Sequence, residues 1–315
     1  MKIAVFNPEN EFIPENKRAL ARLGRVVYTQ TREELPLPKL IKLAADADIL
    51  MVDPDNLGSF EKGKENLKTV IAALPNVKTL ALSTTSYGWV DLGYCRKRGV
   101  KVCNIPGYSR ESVAEHTIAL LLCLAKRILI TDRQTQKGEY KLERGFELYG
   151  KTLGIIGLGS IGSRVAQLGQ GIGMKVIAYN RSPKIQAGVQ MKSLGKLLRE
   201  SDAISLNVKD CDQTIGMIGS GELAKMKDGV IIVNTAGREV VDEEAMAKAL
   251  KFGKIYGYAF EAEDLESGPL ARIENAIGLK GFGWYTNEAL ANLQKIWVQN
   301  VLAAASGHPQ NIVTD

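Results

Sequence analysis

Short β-rich runs alternate with helical patterns from one end of the chain to the other. Ile3 to Phe6, Val26 to Tyr28, Ile49 to Val52 and Leu80 to Leu82 form a first series. Thr152 to Ile156, Lys175 to Tyr179, Ile204 to Val208, Val230 to Val233, Tyr256 to Ala259 and Ile277 to Leu279 form a second. Strands that alternate with helices are the mark of βαβ units, whose strands pair in parallel. The pattern predicts an α/β protein with two parallel-sheet domains. Between the series, the turn-forming Asn104-Ile105-Pro106-Gly107 precedes Ser112-Val113-Ala114-Glu115. This Ser and Glu have capping-box spacing and open an apolar helix expected to run to about Ile130. A last helical pattern, Glu288 to Ala304, sets Leu290, Leu293, Ile296, Trp297 and Val301 on one face, suited to return to the first domain.

Composition narrows the class. With 315 residues, 45% hydrophobic and 24% charged, the chain has room for about two domains, and disorder, collagen and coiled coil are set aside. The longest apolar stretch, Ile118 to Ala125, falls short of the ~20 residues that cross a bilayer. Met1 to Phe6 turns polar at Asn7-Pro8, too early for a secretory core of about 7 to 15 residues. A cytoplasmic protein is expected, with no membrane partner. Cys95, Cys103, Cys123 and Cys211 are widely spaced and suggest neither a metal site nor a disulfide framework. The net charge of +6 is spread along the chain, and Arg96-Lys97-Arg98 ends an apparent helix, where cations suit the macrodipole. A small molecule, not nucleic acid, is the expected partner.

One motif carries specific chemistry. Gly157-Leu158-Gly159-Ser160-Ile161-Gly162 follows a strand and opens a helix. The first glycine permits the tight turn, the second lets backbone approach a pyrophosphate, and the third allows close helix packing. A second strand ends at Tyr179, where an acidic residue would bind the ribose hydroxyls of NAD. Asn180-Arg181-Ser182 stand there instead. No carboxylate repels a 2′-phosphate, and the Arg181 guanidinium can pair with one, so NADP is expected ahead of NAD. Were Arg181 only a solvated loop residue, NAD would still bind through the remaining contacts.

From about Thr79 onward the chain resembles the D-isomer-specific 2-hydroxyacid dehydrogenases, especially the glycerate dehydrogenase/hydroxypyruvate reductase branch. The matching stretches are Asn104 to Tyr108 with Ser112 to His116, the turn at Gly157 to Gly162, Met226 to Gly229 with Val233 to Ala236, and Trp284 to Thr286 with Glu288 to Leu290. The resemblance implies two Rossmann-like or flavodoxin-like domains. A split substrate domain, residues 1–103 plus 285–315, would flank a central NAD(P)-binding domain, residues 104–284, with the active site in the cleft between them. It also implies a homodimer pairing through the cofactor domains and the helix after the hinge, although the apolar face of Ser112 to Ile130 could equally be core. Asn207, Thr235, Ala236 and Glu261 would join the glycine turn around the cofactor, Glu261 replacing an aspartate near the nicotinamide. Thr84, Thr85, Ser86 and Tyr87 would form the loop whose backbone amides hold the substrate carboxylate, with Thr85-Ser86-Tyr87-Gly88 in place of Thr-Gly-Tyr-Asp.

Reduction of a 2-oxo acid needs a cation to hold and polarise the substrate and an acid to protonate the developing alkoxide. The family supplies these as Arg, Glu and His. Its arginine lies in Asn-Thr-Ala-Arg-Gly, whereas this chain reads Asn234-Thr235-Ala236-Gly237-Arg238. One residue of extended chain is about 3.5 Å and turns the side chain to another face, which makes Arg238 a surface residue before it is an anion clamp. Gly281 stands where the family has its histidine, and Glu266 matches the carboxylate, with Ser267 in place of proline. His116 reads as a packed or capping residue, and His308 lies in a turn near the C-terminus.

Two readings remain open. In one, the chain is an NADP-dependent reductase with a re-equipped site, in which Lys280 donates the proton once burial tunes it, Tyr285 and Glu266 are alternatives, and Arg238 clamps an anion. In the other, it binds the cofactor without turnover and acts as a binding or regulatory protein.

Overall fold

The computed structural model describes residues 1–209, 211–262 and 265–314. The chain divides into two units, Met1–Tyr108 joined by the segment from Asn287 onward, and Ser109–Thr286. The first unit opens with β1 (Lys2–Pro8), α1 (Pro14–Ala21), β2 (Arg25–Thr29), α2 (Leu37–Ala44), β3 (Ile49–Val52), α3 (Ser59–Ala73), β4 (Thr79–Leu82), α4 (Leu92–Lys97) and β5 (Lys101–Cys103). Its strands pair in parallel in the order β2-β1-β3-β4-β5. Alternate residues feed opposite faces. Ala4, Phe6, Leu50, Val52, Leu80 and Leu82 pack under Leu40, Leu67 and Trp89, while Ile3, Val5, Ile49, Met51 and Ala81 line the other face.

The second unit comprises α5 (Arg110–Lys126), α6 (Ile128–Gln136), β6 (Thr152–Ile156), α7 (Ser160–Gly171), β7 (Lys175–Tyr179), β8 (Val189–Met191), α8 (Leu194–Glu200), β9 (Ala203–Leu206), α9 (Ser220–Lys225), β10 (Val230–Asn234), α10 (Glu243–Lys251), β11 (Ile255–Glu261) and β12 (Ala276–Leu279). Seven parallel strands run in the order β12-β11-β10-β9-β6-β7-β8. The order reverses between β6 and β9, and ligands of such sheets sit outside the strand carboxyl ends at that reversal.

Two expectations about the connecting helix are corrected. It does not run unbroken to Ile130: Arg127 takes a left-handed conformation, φ 57°, and separates α5 from α6. The Arg127 guanidinium is held there by Glu143 at 2.9 Å and lies over the Tyr256 ring at 5.1 Å. Nor do Ser112 and Glu115 form a capping box. The helix starts at Arg110, Ser112 lies buried in its first turn, and its hydroxyl donates to the Gly283 carbonyl at 2.5 Å. The apolar side of α5 is core: Leu120, Leu121, Leu124 and Ala125 pack on Leu153, Ile155, Ile231 and Ile277.

The closing helix α11 (Asn287–Ala305) returns to the first unit, as its apolar face suggests. Trp297, Val298 and Val301 fill the side lined by Val5 and Met51, and the Trp297 indole donates to the Ala81 carbonyl at 2.8 Å. Asn300 donates to the Asn104 carbonyl at 2.8 Å, and Ile312 bridges to Cys103 beside β5. Replacing a buried Trp by Ala leaves a large cavity. Trp297→Ala is expected to destabilise the first unit by about 3–5 kcal/mol, seen as a lower urea midpoint.

Candidate active site

The glycine turn sits at the carboxyl end of β6, beside the reversal in strand order. Gly157 has φ +96°, and a Cβ there would lie 2.5 Å from the Asn207 carbonyl oxygen. At Gly162 a Cβ would come 2.0 Å from the Gly157 oxygen, so any side chain would push α7 off the strand. Gly159 is different: nothing lies within 4 Å of a Cβ placed there. Its open side adjoins Ser160 and Ile161, the first residues of the twelve-residue α7, whose early N–H groups have no helical partner. A close backbone approach walled by two obligatory glycines fits a pyrophosphate.

At the end of β7, Asn180 braces this turn. Its Oδ1 accepts from Leu158 N at 3.0 Å and its Nδ2 donates to the Ser182 carbonyl at 2.7 Å, while Gly157 N donates to Tyr179 O at 2.9 Å. Arg181 and Ser182 are exposed, and Arg181 donates to Gln213 in the loop after β9. In that loop the Cys211 thiol is drawn below its usual range by a hydrogen bond with Thr214, with the Arg181 charge contributing. Asn207, just past β9, donates to Ser205 at 2.8 Å and keeps a buried Oδ1 without a partner among the described residues.

Across the reversal, β10 ends in a local turn. Asn234 is fully buried, accepts from Ala236 N at 3.0 Å, and donates to the Gly237 carbonyl at 3.1 Å and the Tyr258 hydroxyl at 3.2 Å. Thr235 meets Thr117 of α5 at 3.1 Å. At the end of β11, Glu261 accepts from Gly283 N at 2.7 Å and lies 3.4 Å from His116 Nε2, with only 14% of the Glu261 side chain and 22% of the His116 side chain exposed. Gly283 makes this possible, since a Cβ there would come within 3.1 Å of the imidazole and 3.2 Å of the carboxylate. Ser112 holds the Gly283 carbonyl from below. His116, expected as a packed or capping residue, instead lies against the Glu261 carboxylate. The available signal was an acidic residue at the end of a strand and a histidine one turn inside a buried helix.

Arg238, in a 3-10 turn after Gly237, forms a two-pronged ion pair with Glu243, at 2.6 and 2.8 Å. It borders a cavity of ≈ 470 Å³ together with Arg133, Gln134, Phe260 and Gly278, and no residue of the glycine turn lines that cavity. Glu266 and Lys280 are exposed, Lys280 standing just past the end of β12 at Leu279, so the burial expected to tune Lys280 is missing. Tyr285 is 61% exposed and packs edge-on against Trp284. Gly281 has open space around it, with nothing within 4 Å of a Cβ. In the first unit, the loop after β4 is tied down by its own hydroxyls. Thr84 donates to the Ser86 carbonyl at 2.7 Å, Thr85 to Ile105 O at 2.8 Å, and the Trp89 indole to Thr84 and Ser86 O, both at 3.1 Å, leaving Ser86 exposed and Tyr87 half-buried.

Residues 118–279 match the model of the D-isomer specific 2-hydroxyacid dehydrogenase, NAD binding domain. A D-3-phosphoglycerate dehydrogenase of Archaeoglobus fulgidus is 36% identical over 76% of this chain, which spans about half, 47%, of that longer protein. A glyoxylate reductase of Korarchaeum cryptofilum is 33% identical over 90% of this chain and 88% of its own. Among solved structures, an acyclic imino acid reductase, Bsp5, in complex with NADPH and D-Arg superposes with a TM-score of 0.86 at 26% identity, over 99% of this chain and 100% of its own. No described helix is long and apolar enough to cross a membrane. With the glycine turn on a parallel sheet and these relatives, the chain belongs to the D-isomer-specific 2-hydroxyacid dehydrogenase family of NAD(P)-dependent oxidoreductases.

Proposed function

We propose that this protein is an NADPH-dependent reductase of a small 2-oxo or 2-imino acid. The observation that carries the cofactor choice is Asn180-Arg181-Ser182 at the end of β7, where a carboxylate would mark NAD. The bound nicotinamide would supply the hydride. Gly157, Gly159, Ser160, Ile161 and Gly162 would hold the pyrophosphate, Asn180, Arg181 and Ser182 the 2′-phosphate, and Asn207, Thr235, Ala236 and Glu261 the remainder. The first unit, through Thr84 to Tyr87, would hold the substrate carboxylate.

The reacting end favours a C=N group alongside C=O. A neutral carbonyl needs a polarising cation and a proton donor, and glycines stand at both family positions, 237 and 281. A protonated imine brings its own positive charge and its own proton, so hydride addition gives an uncharged amine directly. The Glu261 carboxylate, held beside His116, is of the right sign to face such a cation. A solved relative is itself named an imino acid reductase. Lys280, Tyr285 and Glu266 remain the nominated donors for carbonyl substrates. The Arg238–Glu243 pairing weighs against a clamp at Arg238.

We also read a homodimer, on the ground that the arm after α6 exposes Tyr140, Leu142 and Tyr149, at 92%, 84% and 79%. Titration of the apo protein with both cofactors is expected to show NADPH bound about tenfold tighter than NADH, and Arg181→Ala to remove that preference. Tighter NADH would reverse the assignment. A screen of NADPH oxidation over 2-oxo acids, aldehydes and imines tests turnover, and activity with none of them would favour the non-catalytic binding protein.

A further inference from the structure

The backbone of the loop Thr84 to Tyr87, nominated for the substrate carboxylate, is turned by bonds from within the first unit. Its carbonyls are all taken. Thr84 O accepts from Ile105 N at 3.3 Å, and Thr85 O from Asn104 Nδ2 at 2.8 Å. Ser86 O accepts from Thr84 Oγ1 at 2.7 Å and Trp89 Nε1 at 3.1 Å, and Tyr87 O from Val90 N at 3.1 Å. The N–H groups of Thr85 and Ser86, both exposed residues, donate to no atom among the described residues. In a planar trans peptide the C=O and N–H point to opposite sides. The Ile105 N–H that draws the Thr84 carbonyl inward therefore turns the Thr85 N–H away, and the Asn104 amide that draws in the Thr85 carbonyl does the same for the Ser86 N–H. Two successive unspent N–H groups suit an anion.

Asn104 is also the joint of a longer chain of amides. It is buried just past β5, its N donates to Asn311 O at 3.1 Å, and its carbonyl accepts from Asn300 Nδ2 at 2.8 Å. Asn300, on α11, is fully buried, and its Oδ1 accepts from Asn311 Nδ2 at 2.8 Å. Asn311 has φ 54°, a left-handed conformation in which asparagine is enriched. The residues after it lie antiparallel to β5. Ile312 bridges Cys103, Val313 N donates to Val102 O at 2.8 Å, Val102 N donates to Thr314 Oγ1 at 3.2 Å, and Arg96 Nε donates to Thr314 O at 2.9 Å. Asn104 is gripped on both backbone groups and so presents its side chain to Thr85 from a fixed base. A loop fixed before its ligand arrives loses less freedom on binding.

We propose that Asn104 is a positioning residue for substrate binding. Backed by Asn300 and Asn311, it aims the Ser86 N–H at the substrate carboxylate, so that the segment after α11 sets the affinity of the anion loop. The use of this loop for a substrate carboxylate rests on the reductase reading, while the relay of amides lies wholly within the first unit.

The test is calorimetric titration of the full chain, with NADPH present throughout, with oxamate, an amide analogue of a 2-oxo acid that keeps the carboxylate and takes no hydride. The unmodified protein is expected to bind oxamate and Asn104→Ala to bind it about tenfold more weakly, roughly the worth of one hydrogen bond to a charged group, with NADPH affinity and melting temperature little moved. Asn311→Gly keeps the left-handed backbone and removes the bond to Asn300. It is expected to weaken oxamate about threefold alone and to add nothing once Asn104 is alanine, because it acts through that side chain. With a reducible acid, Asn104→Ala should raise KM about tenfold against a change in kcat below about threefold. No binding of oxamate by the unmodified protein overturns the proposal, whether or not the variants fold; so does a folded Asn104→Ala or Asn311→Gly protein with undiminished oxamate affinity, or a double variant whose losses add. NADPH oxidation with 2-oxo and 2-imino acids tests the reductase reading separately. Oxamate binding that depends on Asn104 without turnover of any acid defeats that reading and leaves the relay, and turnover that Asn104→Ala does not alter does the opposite.

Discussion

Gly281→His combined with Gly237→Arg and Arg238→Gly is expected to raise kcat/KM for glyoxylate and hydroxypyruvate by about 10²- to 10⁴-fold. On the proposed reading, these changes return an imidazole and a guanidinium to the positions where the family resemblance puts them. The backbone accepts both. Nothing lies within 4 Å of a Cβ at Gly281, and Gly237 has φ −62° and ψ 142°, ordinary for any L-residue. The two gains are not expected to multiply, because groups that act on one transition state depend on each other. The same triple variant should lose rate with imines, since a new guanidinium and imidazolium would repel a cationic substrate. Steady-state rates with NADPH on both substrate classes decide the matter. An unchanged oxo-acid rate would mean that positions 237 and 281 do not face the reacting carbon.

Gly159→Asp should weaken NADPH binding by roughly 10²- to 10³-fold while leaving the melting temperature nearly unchanged. A Cβ at Gly159 has no protein atom within 4 Å, so the cost falls on whatever approaches that open backbone. An aspartate there sets a negative charge against a pyrophosphate. Gly162→Val makes the contrast: its Cβ would overlap the Gly157 carbonyl at 2.0 Å, and this variant should lose thermal stability along with cofactor affinity. Cofactor fluorescence titration and thermal unfolding separate the two. A Gly159→Asp protein that binds NADPH normally would remove the turn from the cofactor site.

Much of the fold is legible in the chain itself. Parallel strands buried on both faces appear as unbroken apolar runs, which is why Ile49 to Val52 and Val230 to Val233 could be placed from the chain alone. The three-residue strands β5 and β8 carry too few positions for that signal. The glycine turn was legible because each glycine answers a local steric demand. The break at Arg127 was not, since its cause lies in Glu143 and Tyr256, while the apolar rhythm continues across it. Long-range partners decided the rest. His116 lies beside Glu261, brought to it by the sheet, and Ser112 is drawn from capping by the Gly283 carbonyl.

The return of α11 to the first unit sets the order in which the newly made chain can mature on the ribosome. Everything needed to complete the sheet from β6 to β12 has emerged once Leu279 is out, whereas Val5 and Met51 still lack the indole of Trp297. The inserted half can therefore consolidate first, and the opening half waits with an oily flank uncovered until the last stretch of polypeptide arrives to seal it.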